Sequence, residues 1–447
     1  MKKILLVGNA PLPTDNEKIR PAAGLRTHQF VKPLQLNKGV ELRVVALGMP
    51  ECYNAEMTDS RVKNLKIKVI SKDDKSIIAK IQDIHDEFQP DAVIGVNTYP
   101  SFLVSKLKFS APFWADLNGW IMAEAQAQAY KMDSNDFLSH YYGMEKSIIR
   151  RADKISCVSG AQANAILGEL AGGGRLNKET FGYNFLSHIP NGTEYFKSDE
   201  LKEAAHLFRS IPEDAFILLW LGGYNTWVDE NTLFEGIELA MNRTDNIYFV
   251  STGGSVKGLS KNTFNNFYEK VQNSRYRKRY KFLGWLNTED IPYVYKRAHI
   301  GLNVDKMCTE TLTGARNRIN EMMKFGLPVV TTLGSEISNK VEESGAGKSV
   351  ESGNPRALFE AIMQIYKNWV NKDGYEEMGM RGRAYINEQC NYNKVMAPLI
   401  EWLKSAPGRA PDSQISLNLN KGKLRAALKY LKQNGLKSFL KKLLQRF

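Results

Sequence analysis

Short apolar runs alternate along the chain with stretches in which apolar residues recur at helical spacing. Five runs in the first half predict buried strands, at residues 4–7, 40–47, 91–96, 113–117 and 154–158. Two sets of apolar residues between them predict helices with one buried face: Ile77, Ile81, Ile84 and Phe88, and Tyr141, Met144, Ile148 and Ala152. Such alternation is typical of βα units and a mainly parallel sheet.

A second series of apolar runs follows, at residues 216–221, 247–250, 280–283, 300–303 and 329–332. The sequence therefore predicts an α/β protein with two doubly wound, Rossmann-like domains, at residues 1–195 and 205–390, which face a central cleft. A helix within residues 391–405 is expected to pack back toward the first domain. Residues 405–416 are rich in Pro, Gly and polar residues and predict a hinge, and a basic amphipathic tail follows at residues 421–447.

Composition places the chain among ordinary globular proteins. Of its 447 residues 43% are hydrophobic, 10% aromatic and 24% charged, which argues against a mainly disordered chain. The longest apolar run, residues 215–221, is much shorter than the roughly 18 residues that cross a bilayer. The four cysteines have no C-x-x-C spacing, so neither a zinc site nor a disulfide framework is predicted. We expect a cytoplasmic protein.

The net charge of +13 is distributed unevenly. From Ser413 onward the chain has nine basic residues and no acidic one, while the rest holds 52 basic and 48 acidic side chains, a charge of only +4. The tail also places Leu and Phe at helical spacing, with a break predicted at Asn434–Gly435. This pattern is typical of an interfacial helix on an anionic membrane.

We therefore predict that the tail binds the inner face of the cell membrane. The residues expected to make contact are Lys429, Lys432, Phe439, Lys441, Lys442 and Phe447. A protein groove and nucleic acid are the alternatives. The regular apolar face argues against nucleic acid, and no nucleic-acid partner is expected.

Five segments in a fixed order carry a family resemblance: residues 22–28 (AAGLRTH), 144–159 (MEKSIIRRADKISCVS), 188–193 (HIPNGT), 282–292 (FLGWLNTEDIP) and 321–330 (EMMKFGLPVV). Over about residues 1 to 400 the chain resembles the group 1 (family four) retaining glycosyltransferases of the GT-B fold. The resemblance implies a nucleotide-sugar donor bound between the domains and transfer with retained anomeric configuration. No separate cofactor is implied.

The resemblance also implies a donor site. Glu321 matches the second carboxylate of the family's E-x7-E motif, which holds the ribose, whereas Thr313 stands where the first Glu is usual. Glu310 is a candidate to replace that Glu. The full set of expected donor-binding residues is Gly24, Gly222, Gly223, Tyr224, Trp285, Thr313, Gly314, Ala315, Asn317 and Glu321. A packing role is the alternative for the aromatic residues, and a plain turn is the alternative for Gly222–Gly223.

The Arg and Lys that usually follow the first strand of the second domain are missing. The leaving nucleoside diphosphate must nevertheless be neutralised by fixed cations or amides or by a metal. Because the sequence has no D-x-D pair, we predict no metal. Arg316 and Arg318, beside a predicted helix start, are the candidate catalytic cations. The alternative is that both lie on the helix surface.

Three candidates come from the first domain. Asn118 stands where the family commonly has His, and an amide there can bind a sugar hydroxyl but cannot shuttle a proton. Its alternative is a turn residue before Gly119. Arg26 and His28 are placed on the acceptor side, and for His28 a packing or phosphate-side role is favoured over that of a catalytic base.

The sequence thus predicts a glycosyltransferase of the hexosyltransferase type, which extends a glycan or lipid-linked glycan in bacterial surface polysaccharide assembly. Two alternatives stay open. One is another nucleotide-sugar enzyme on the same fold, such as an epimerase. The other is a catalytically silent GT-B subunit that binds a partner or membrane, which the missing Glu at Thr313 suggests.

Overall fold

The computed structural model describes residues 1–12, 22–48, 65–194, 204–255, 261–405, 407–413, 428–436 and 438. Each of the two apolar series forms a parallel sheet that is covered by helices on both faces. The predicted pair of doubly wound domains is confirmed. Burial on both faces explains why the central strands are continuous apolar runs rather than alternating patterns.

The first sheet has seven parallel strands in the order β3-β2-β1-β4-β5-β6-β7. They are β1 (Lys2–Asn9), β2 (Val40–Gly48), β3 (Lys66–Ser71), β4 (Ala92–Val96), β5 (Phe113–Leu117), β6 (Lys154–Cys157) and β7 (Leu186–His188). The helices are α1 (Ala22–Leu36), α2 (Ile77–Phe88), α3 (Thr98–Ser105), α4 (Ile121–Met132), α5 (Leu138–Arg151) and α6 (Gly160–Gly172). The five predicted strands are present, and the two edge strands β3 and β7 are additional.

Local signals fix several helix boundaries. Ser159 caps α6 by accepting a hydrogen bond from the Gln162 N–H, and the Gln162 side chain accepts one from the Val158 N–H. The sequence predicts a capping box here. Its second hydrogen bond comes from the Val158 N–H, one residue before the Ser159 N–H that a capping box normally uses. Asn354 likewise caps a helix whose first residue is Pro355.

The second sheet has six parallel strands in the order β10-β9-β8-β11-β12-β13. They are β8 (Phe216–Leu221), β9 (Ile247–Thr252), β10 (Tyr280–Gly284), β11 (Ile300–Asn303), β12 (Val329–Thr332) and β13 (Gly347–Val350). The helices are α7 (Glu230–Arg243), α8 (Lys261–Gln272), α9 (Ile291–Arg297), α10 (Thr309–Thr313), α11 (Asn317–Lys324), α12 (Glu336–Glu343), α13 (Pro355–Asn371) and α14 (Tyr375–Gln389), and short 3-10 turns lie at Ala205–Phe208 and Arg277–Arg279.

The chain then returns to the first domain through α15 (Tyr392–Val395) and α16 (Ala397–Lys404). Leu399 and Leu403 join the core that contains Ile4 of β1, and the Trp402 ring meets the Trp114 ring edge-on at 5.1 Å. Burial of these side chains ties the end of the second domain to the first sheet.

The segment at residues 407–413 is anchored rather than free. Asp412 forms a buried two-bond ion pair with Arg175, and the Ala410 N–H donates to the Asp153 carboxylate. The sequence predicted a hinge here from the Pro and Gly content, and for these residues that prediction is wrong. Two buried residues that are distant in sequence, Asp153 and Arg175, hold this segment in place, and its composition does not indicate these contacts.

Part of the tail is described. Residues 428–436 are helical, and Leu428 and Leu436 are exposed by 54% and 64%. Lys429 and Lys432 lie on this helix, and Gly435 has a φ of +75° at the predicted break. Phe439, Lys441, Lys442 and Phe447 lie outside the described residues. Among the described helices, none is both long and apolar enough to cross a membrane.

Candidate functional site

A cavity of about 270 Å³ lies between the two domains, at the carboxyl ends of their parallel strands. We call it the interdomain cavity. Parallel α/β sheets bind ligands at this edge. The first domain contributes the start of α1 and residues 191–194, and the second contributes the loops after β8, β9 and β10, the helix α11 and the side chain of Trp285.

Three glycines shape the floor of the cavity on the second domain. Gly222 and Gly253 directly follow β8 and β9, and Gly284 is the last residue of β10; their φ values are +100°, +81° and +67°. The Gly222 N–H donates to the Thr252 carbonyl and the Gly253 N–H to the Gly284 carbonyl. A Cβ on Gly253 would lie 2.5 Å from the Gly222 carbonyl oxygen. Only glycine fits this arrangement, which lets a ligand approach the backbone closely.

Arg318 lies beneath this glycine floor. Its Nη2 donates to the Gly223 carbonyl at 2.8 Å, its Cζ lies 4.0 Å from the centre of the Trp220 ring, and its Nη1 is buried without a hydrogen-bond partner. Burial lowers the pKa of the guanidinium to about 10, so it remains charged at neutral pH. A buried cation with an unused donor is a strong anion-binding group.

Arg316, two residues earlier, is placed differently. It forms ion pairs with Asp305 at 2.5 Å and with Glu310 at 2.7 Å, all three side chains being buried. Although burial opposes the charge, the two carboxylates raise the pKa of Arg316. Its positive charge is therefore already balanced. The prediction that Arg316 is a free catalytic cation is wrong, and Glu310 is likewise occupied rather than available to replace the missing Glu.

Helix α11 presents its first turn and one face to the cavity. Asn317, Glu321 and Lys324 line it, and Lys324 Nζ lies 3.5 Å from a Glu321 oxygen. The first N–H groups of an α-helix have no partner within the helix and favour anions. Glu321 thus stands one turn along a helix that begins at the cavity.

The segment before α11 joins the two domains. Thr313 accepts a hydrogen bond from the Ser159 hydroxyl through its carbonyl, and its own hydroxyl donates to Thr309. A Cβ on Gly314 would meet the Glu310 carboxylate at 2.5 Å, so the ion pairs of Arg316 require glycine there. Ala315 follows, half-buried.

The two aromatic candidates differ in exposure. Tyr224 is fully buried, stacked on Trp220 with ring centres 4.8 Å apart, and its hydroxyl meets that of Ser251. It is a core residue and cannot stack on a ligand, which corrects that prediction. Trp285 is 49% exposed and lines the cavity, as a stacking residue must.

Arg26 organises the first-domain side of the cavity. Its guanidinium forms a buried two-bond ion pair with Asp116 and also donates to the carbonyls of Ile189 and Pro190. Gly24, two residues earlier in α1, lies so close to the Pro11 carbonyl that a Cβ would collide with it. Both residues therefore hold the start of α1 against the strand ends.

His28 and Asn118 lie nearby. His28 is buried, with Nε2 3.3 Å from a Glu194 oxygen, and this contact lowers the pKa of Glu194. Asn118 is half-buried after β5 and donates to the Asn97 side chain at 3.3 Å. Asn118 thus retains one amide oxygen for a ligand. Within the described ranges, no group of three or more His, Cys, Asp or Glu side chains is arranged to hold a metal ion.

Comparison with known proteins finds one family whose sequence pattern matches part of the chain. Residues 215–368 match the family of group 1 glycosyl transferases. The predicted family resemblance is confirmed. No curated protein matches the chain in sequence.

Three solved structures show the same fold. Sucrose-phosphate synthase from Thermosynechococcus elongatus is 17% identical with a TM-score of 0.66, over 91% of this chain and 100% of that chain. HepE from Anabaena, in complex with UDP and glucose, is 14% identical with a TM-score of 0.64 over the same shares. WaaG, a glycosyltransferase involved in lipopolysaccharide biosynthesis, is 15% identical with a TM-score of 0.59, over 90% of this chain and 98% of that chain.

Sequence reasoning missed several residues that line the interdomain cavity. Gly253 and Thr252 were not singled out, although a Gly-Gly pair after a buried run was a usable signal. Asn191, Glu194 and Tyr392 also line the cavity. Their contribution depends on how the C-terminal helices return to the first domain, which no local pattern reveals.

Proposed function

We propose that the protein is a metal-independent retaining glycosyltransferase that moves a sugar from a nucleotide donor to a glycan or lipid-linked glycan. The match of residues 215–368 to group 1 glycosyl transferases supports the reaction class. A relative in fold, HepE, was solved with UDP-glucose, which supports a UDP-sugar as the first donor to test. The family resemblance supports retention, and WaaG supports a role in surface polysaccharide assembly.

One observation carries the donor side of this proposal. Arg318 combines a charged, buried guanidinium, an unused Nη1 and a position against Gly223. The Arg and Lys that the family usually has after β8 are missing, so another cation must stabilise the diphosphate there. Arg318, on the opposite side of the loop after β8, can supply that charge. Glu321, one turn further along α11, is then placed to accept hydrogen bonds from the ribose hydroxyls.

The reaction requires charge stabilisation above all. When the sugar–phosphate bond breaks, its electron pair stays on the phosphate oxygen, and the leaving nucleoside diphosphate gains negative charge. Arg318 and the first turn of α11 are fixed donors for that charge and need no reorganisation during the reaction. The acceptor oxygen bonds to the anomeric carbon. Because the Asn118 amide cannot accept the acceptor's proton, we expect this proton to pass to the departing phosphate.

The proposed cellular location rests on the tail. Its nine basic residues and its apolar face support peripheral attachment to the inner face of the cell membrane from the cytoplasm. The exposed Leu428 and Leu436 support the same conclusion, since an apolar helix face in water favours a partner. An enzyme held there meets lipid-linked acceptors.

A direct test uses the purified full-length chain with a panel of nucleotide sugars headed by UDP-glucose. We expect release of nucleoside diphosphate that depends on a glycan acceptor, and a product with the donor's anomeric configuration by NMR. Activity should persist in excess EDTA. Loss with EDTA and recovery with Mg²⁺ or Mn²⁺ would refute metal independence, and an inverted product would refute retention.

A silent GT-B subunit remains the second candidate, because Thr313 lacks the usual carboxylate and the Asp305–Arg316–Glu310 ion pairs fill the neighbouring space. This candidate predicts nucleotide binding without turnover of any donor. An epimerase would convert the donor without acceptor and without release of nucleoside diphosphate. The same assay therefore separates all three.

A further inference from the structure

Helix α9 places a tyrosine at the interdomain cavity. Tyr295 lines this cavity and is 2% exposed. Its ring stacks on the ring of Phe325, with the ring centres 4.5 Å apart and an angle of 11° between the planes. A closely packed ring keeps few rotamers. The hydroxyl of Tyr295 is therefore held at a fixed position beside the cavity.

The hydroxyl of Tyr295 is buried and has no hydrogen-bond partner among the described residues. Burial of a polar group without a partner costs free energy, and phenylalanine could fill the same position without that cost. Burial, with help from the charge of Glu321, raises the pKa of Tyr295 well above its ordinary value, so the hydroxyl keeps its proton and remains a donor. A donor without a partner in the free protein indicates a partner that arrives with a ligand.

Two charged side chains of α11 lie near this hydroxyl. The charges of Glu321 and Arg318 both act on the Tyr295 hydroxyl, and Glu321 lines the same cavity. The Nη1 of Arg318 is also buried without a hydrogen-bond partner. Two unpartnered donors, one neutral and one cationic, are thus close to one carboxylate. An anionic oxygen that binds between the two donors would satisfy both of them.

The positions of these groups match the order of the parts of a nucleotide. In the proposed function Glu321 accepts hydrogen bonds from the ribose hydroxyls, and Arg318 stabilises the diphosphate. The phosphate that is bonded to the ribose must lie between these two positions, and the Tyr295 hydroxyl lies near both. A phosphate oxygen is negatively charged and accepts hydrogen bonds, so it suits a hydroxyl that stays protonated.

We propose that the Tyr295 hydroxyl donates a hydrogen bond to the ribose-linked phosphate of the donor nucleotide. This inference rests on the proposed function, and it adds to the donor site a neutral group that the sequence motifs did not single out. The ribose-linked phosphate is present both in the donor and in the departing nucleoside diphosphate. Tyr295 should therefore strengthen nucleotide binding in both states more than it accelerates the chemical step.

The test measures binding of nucleotides to the purified full-length chain. UDP, GDP and ADP are first compared on wild type by calorimetry, and the one that binds most tightly is then used with its monophosphate and its nucleoside. Tyr295→Phe should weaken binding of the diphosphate and of the monophosphate by the same factor, about ten- to a hundredfold, as expected for a hydrogen bond to a charged group. Binding of the nucleoside, followed by NMR titration, should not change, because it has no phosphate.

Tyr293→Phe is the matched control. Tyr293 lies two residues earlier on α9, its ring packs on Phe208 with the ring centres 5.9 Å apart, and it is not among the described residues that line the cavity. This substitution should leave all three affinities unchanged. The melting temperature separates a binding role from a structural one. Because the Tyr295 hydroxyl has no partner in the free protein, Tyr295→Phe should melt at or above the temperature of wild type.

The outcomes separate this inference from the proposed function. If wild type binds a nucleoside diphosphate and Tyr295→Phe binds it as tightly, the tyrosine assignment is overturned while the donor site stands. An equal loss for the nucleoside would mean that the hydroxyl acts at the ribose, and a loss for the diphosphate alone would assign it to the terminal phosphate, so either result overturns the assignment. A lower melting temperature, or an equal loss in Tyr293→Phe, also overturns it. If wild type binds none of the three diphosphates, the proposed function fails and the inference fails with it.

Discussion

Arg316 and Arg318 lie two residues apart, and they show that the groups around a charged side chain determine what it can bind. Arg316 is neutralised by two buried carboxylates, while Arg318 keeps a free donor beneath the glycine floor. The sequence presents them as equivalent, because Asp305 lies 11 residues before Arg316 and its contact depends on the fold. At the residue scale, the function of a charge is set by what it already pairs with.

The two arginines should respond differently to replacement by Met. Arg318→Met should lower kcat about a hundredfold or more, because a fixed stabiliser of the leaving diphosphate is lost. Arg316→Met should instead lower the free energy of unfolding by roughly 3 to 5 kcal/mol, because it leaves Asp305 and Glu310 buried without a cation. Steady-state kinetics and chemical denaturation of both variants check this, and a reversal of the two effects would exchange the assignments.

Glu321→Gln should weaken nucleotide binding. If the carboxylate accepts hydrogen bonds from two ribose hydroxyls, the loss is roughly 1 to 3 kcal/mol in binding free energy. Calorimetric titration with UDP measures it. Glu342→Gln is the control, because Glu342 is exposed on α12 of the same domain. Unchanged affinity in Glu321→Gln would remove this residue from the donor site.

Glu145 on α5 makes stability depend on pH. Both of its carboxylate oxygens are buried without a hydrogen bond, and burial, with help from Glu169, raises its pKa to about 8. A raised carboxyl pKa means that the folded state prefers the protonated form. Wild type should therefore lose stability as pH rises from about 5 to 8, while Glu145→Gln should not lose this contribution.

Melting curves of wild type and Glu145→Gln across that pH range check the prediction. The stabilising effect of the substitution should be small near pH 5 and should grow to a few kcal/mol near pH 8. A difference that stays constant with pH would mean that the carboxyl group titrates normally.

At the scale of elements, the anchored segment 407–413 behaves as a clamp on the first sheet. It reaches Asp153 before β6 and Arg175 after α6, so one short stretch joins two elements. Its stability depends on ion pairs that are out of water. Removing one partner of such a pair costs more than the pair itself contributes.

Asp412→Asn should accordingly destabilise the first domain by roughly 3 kcal/mol, because it leaves the Arg175 guanidinium buried without a counter-charge. Arg175→Met with Asp412→Leu should recover much of that loss, since neither charge then remains buried. Denaturation monitored by tryptophan fluorescence measures both variants. Equal stability of Asp412→Asn and wild type would show that the clamp is dispensable.

The sequence predicts β-strands well where both faces of the strand are buried. Central strands such as β1 and β8 are uninterrupted apolar runs and were found, as was the cap at Ser159. The edge strands β3, β7 and β13 were not, because β3 reads Lys-Ile-Lys-Val-Ile-Ser, and β7 and β13 have only three and four residues. An edge strand is buried on fewer sides and needs fewer apolar residues, so its signal is weak.

The site was predicted only in part for a related reason. Glu321, Trp285 and Gly222 carry local signals and line the cavity. Arg26 pairs with Asp116 across 90 residues, and Tyr224 turns into the core rather than toward the ligand. Which side of a strand end a residue faces depends on packing, and packing is a property of the tertiary structure.

At the scale of the whole molecule, the tail should be separable from catalysis. Deletion of residues 422–447 should abolish binding to anionic liposomes at physiological salt and slow turnover of a lipid-linked acceptor, while activity on a short soluble acceptor persists. Reversal of four tail lysines to Glu should release the protein as fully, because the apolar face alone is short. A truncated chain that still sediments with anionic vesicles would assign the tail another partner.

If the edge held by the clamp faces the proposed membrane, the fold also sets how far the interdomain cavity stands from the bilayer. Asp153 and Ala152 precede β6, so residues 407–413 hold the amino edge of the first sheet, whereas Asn118 and the cavity lie at the carboxyl edge. The five residues of β5 separate these edges by about 17 Å. An enzyme seated on this edge would reach only hydroxyl groups that project well above the lipid headgroups. It would then act as a late enzyme of glycan assembly, which adds sugars to chains that others have begun.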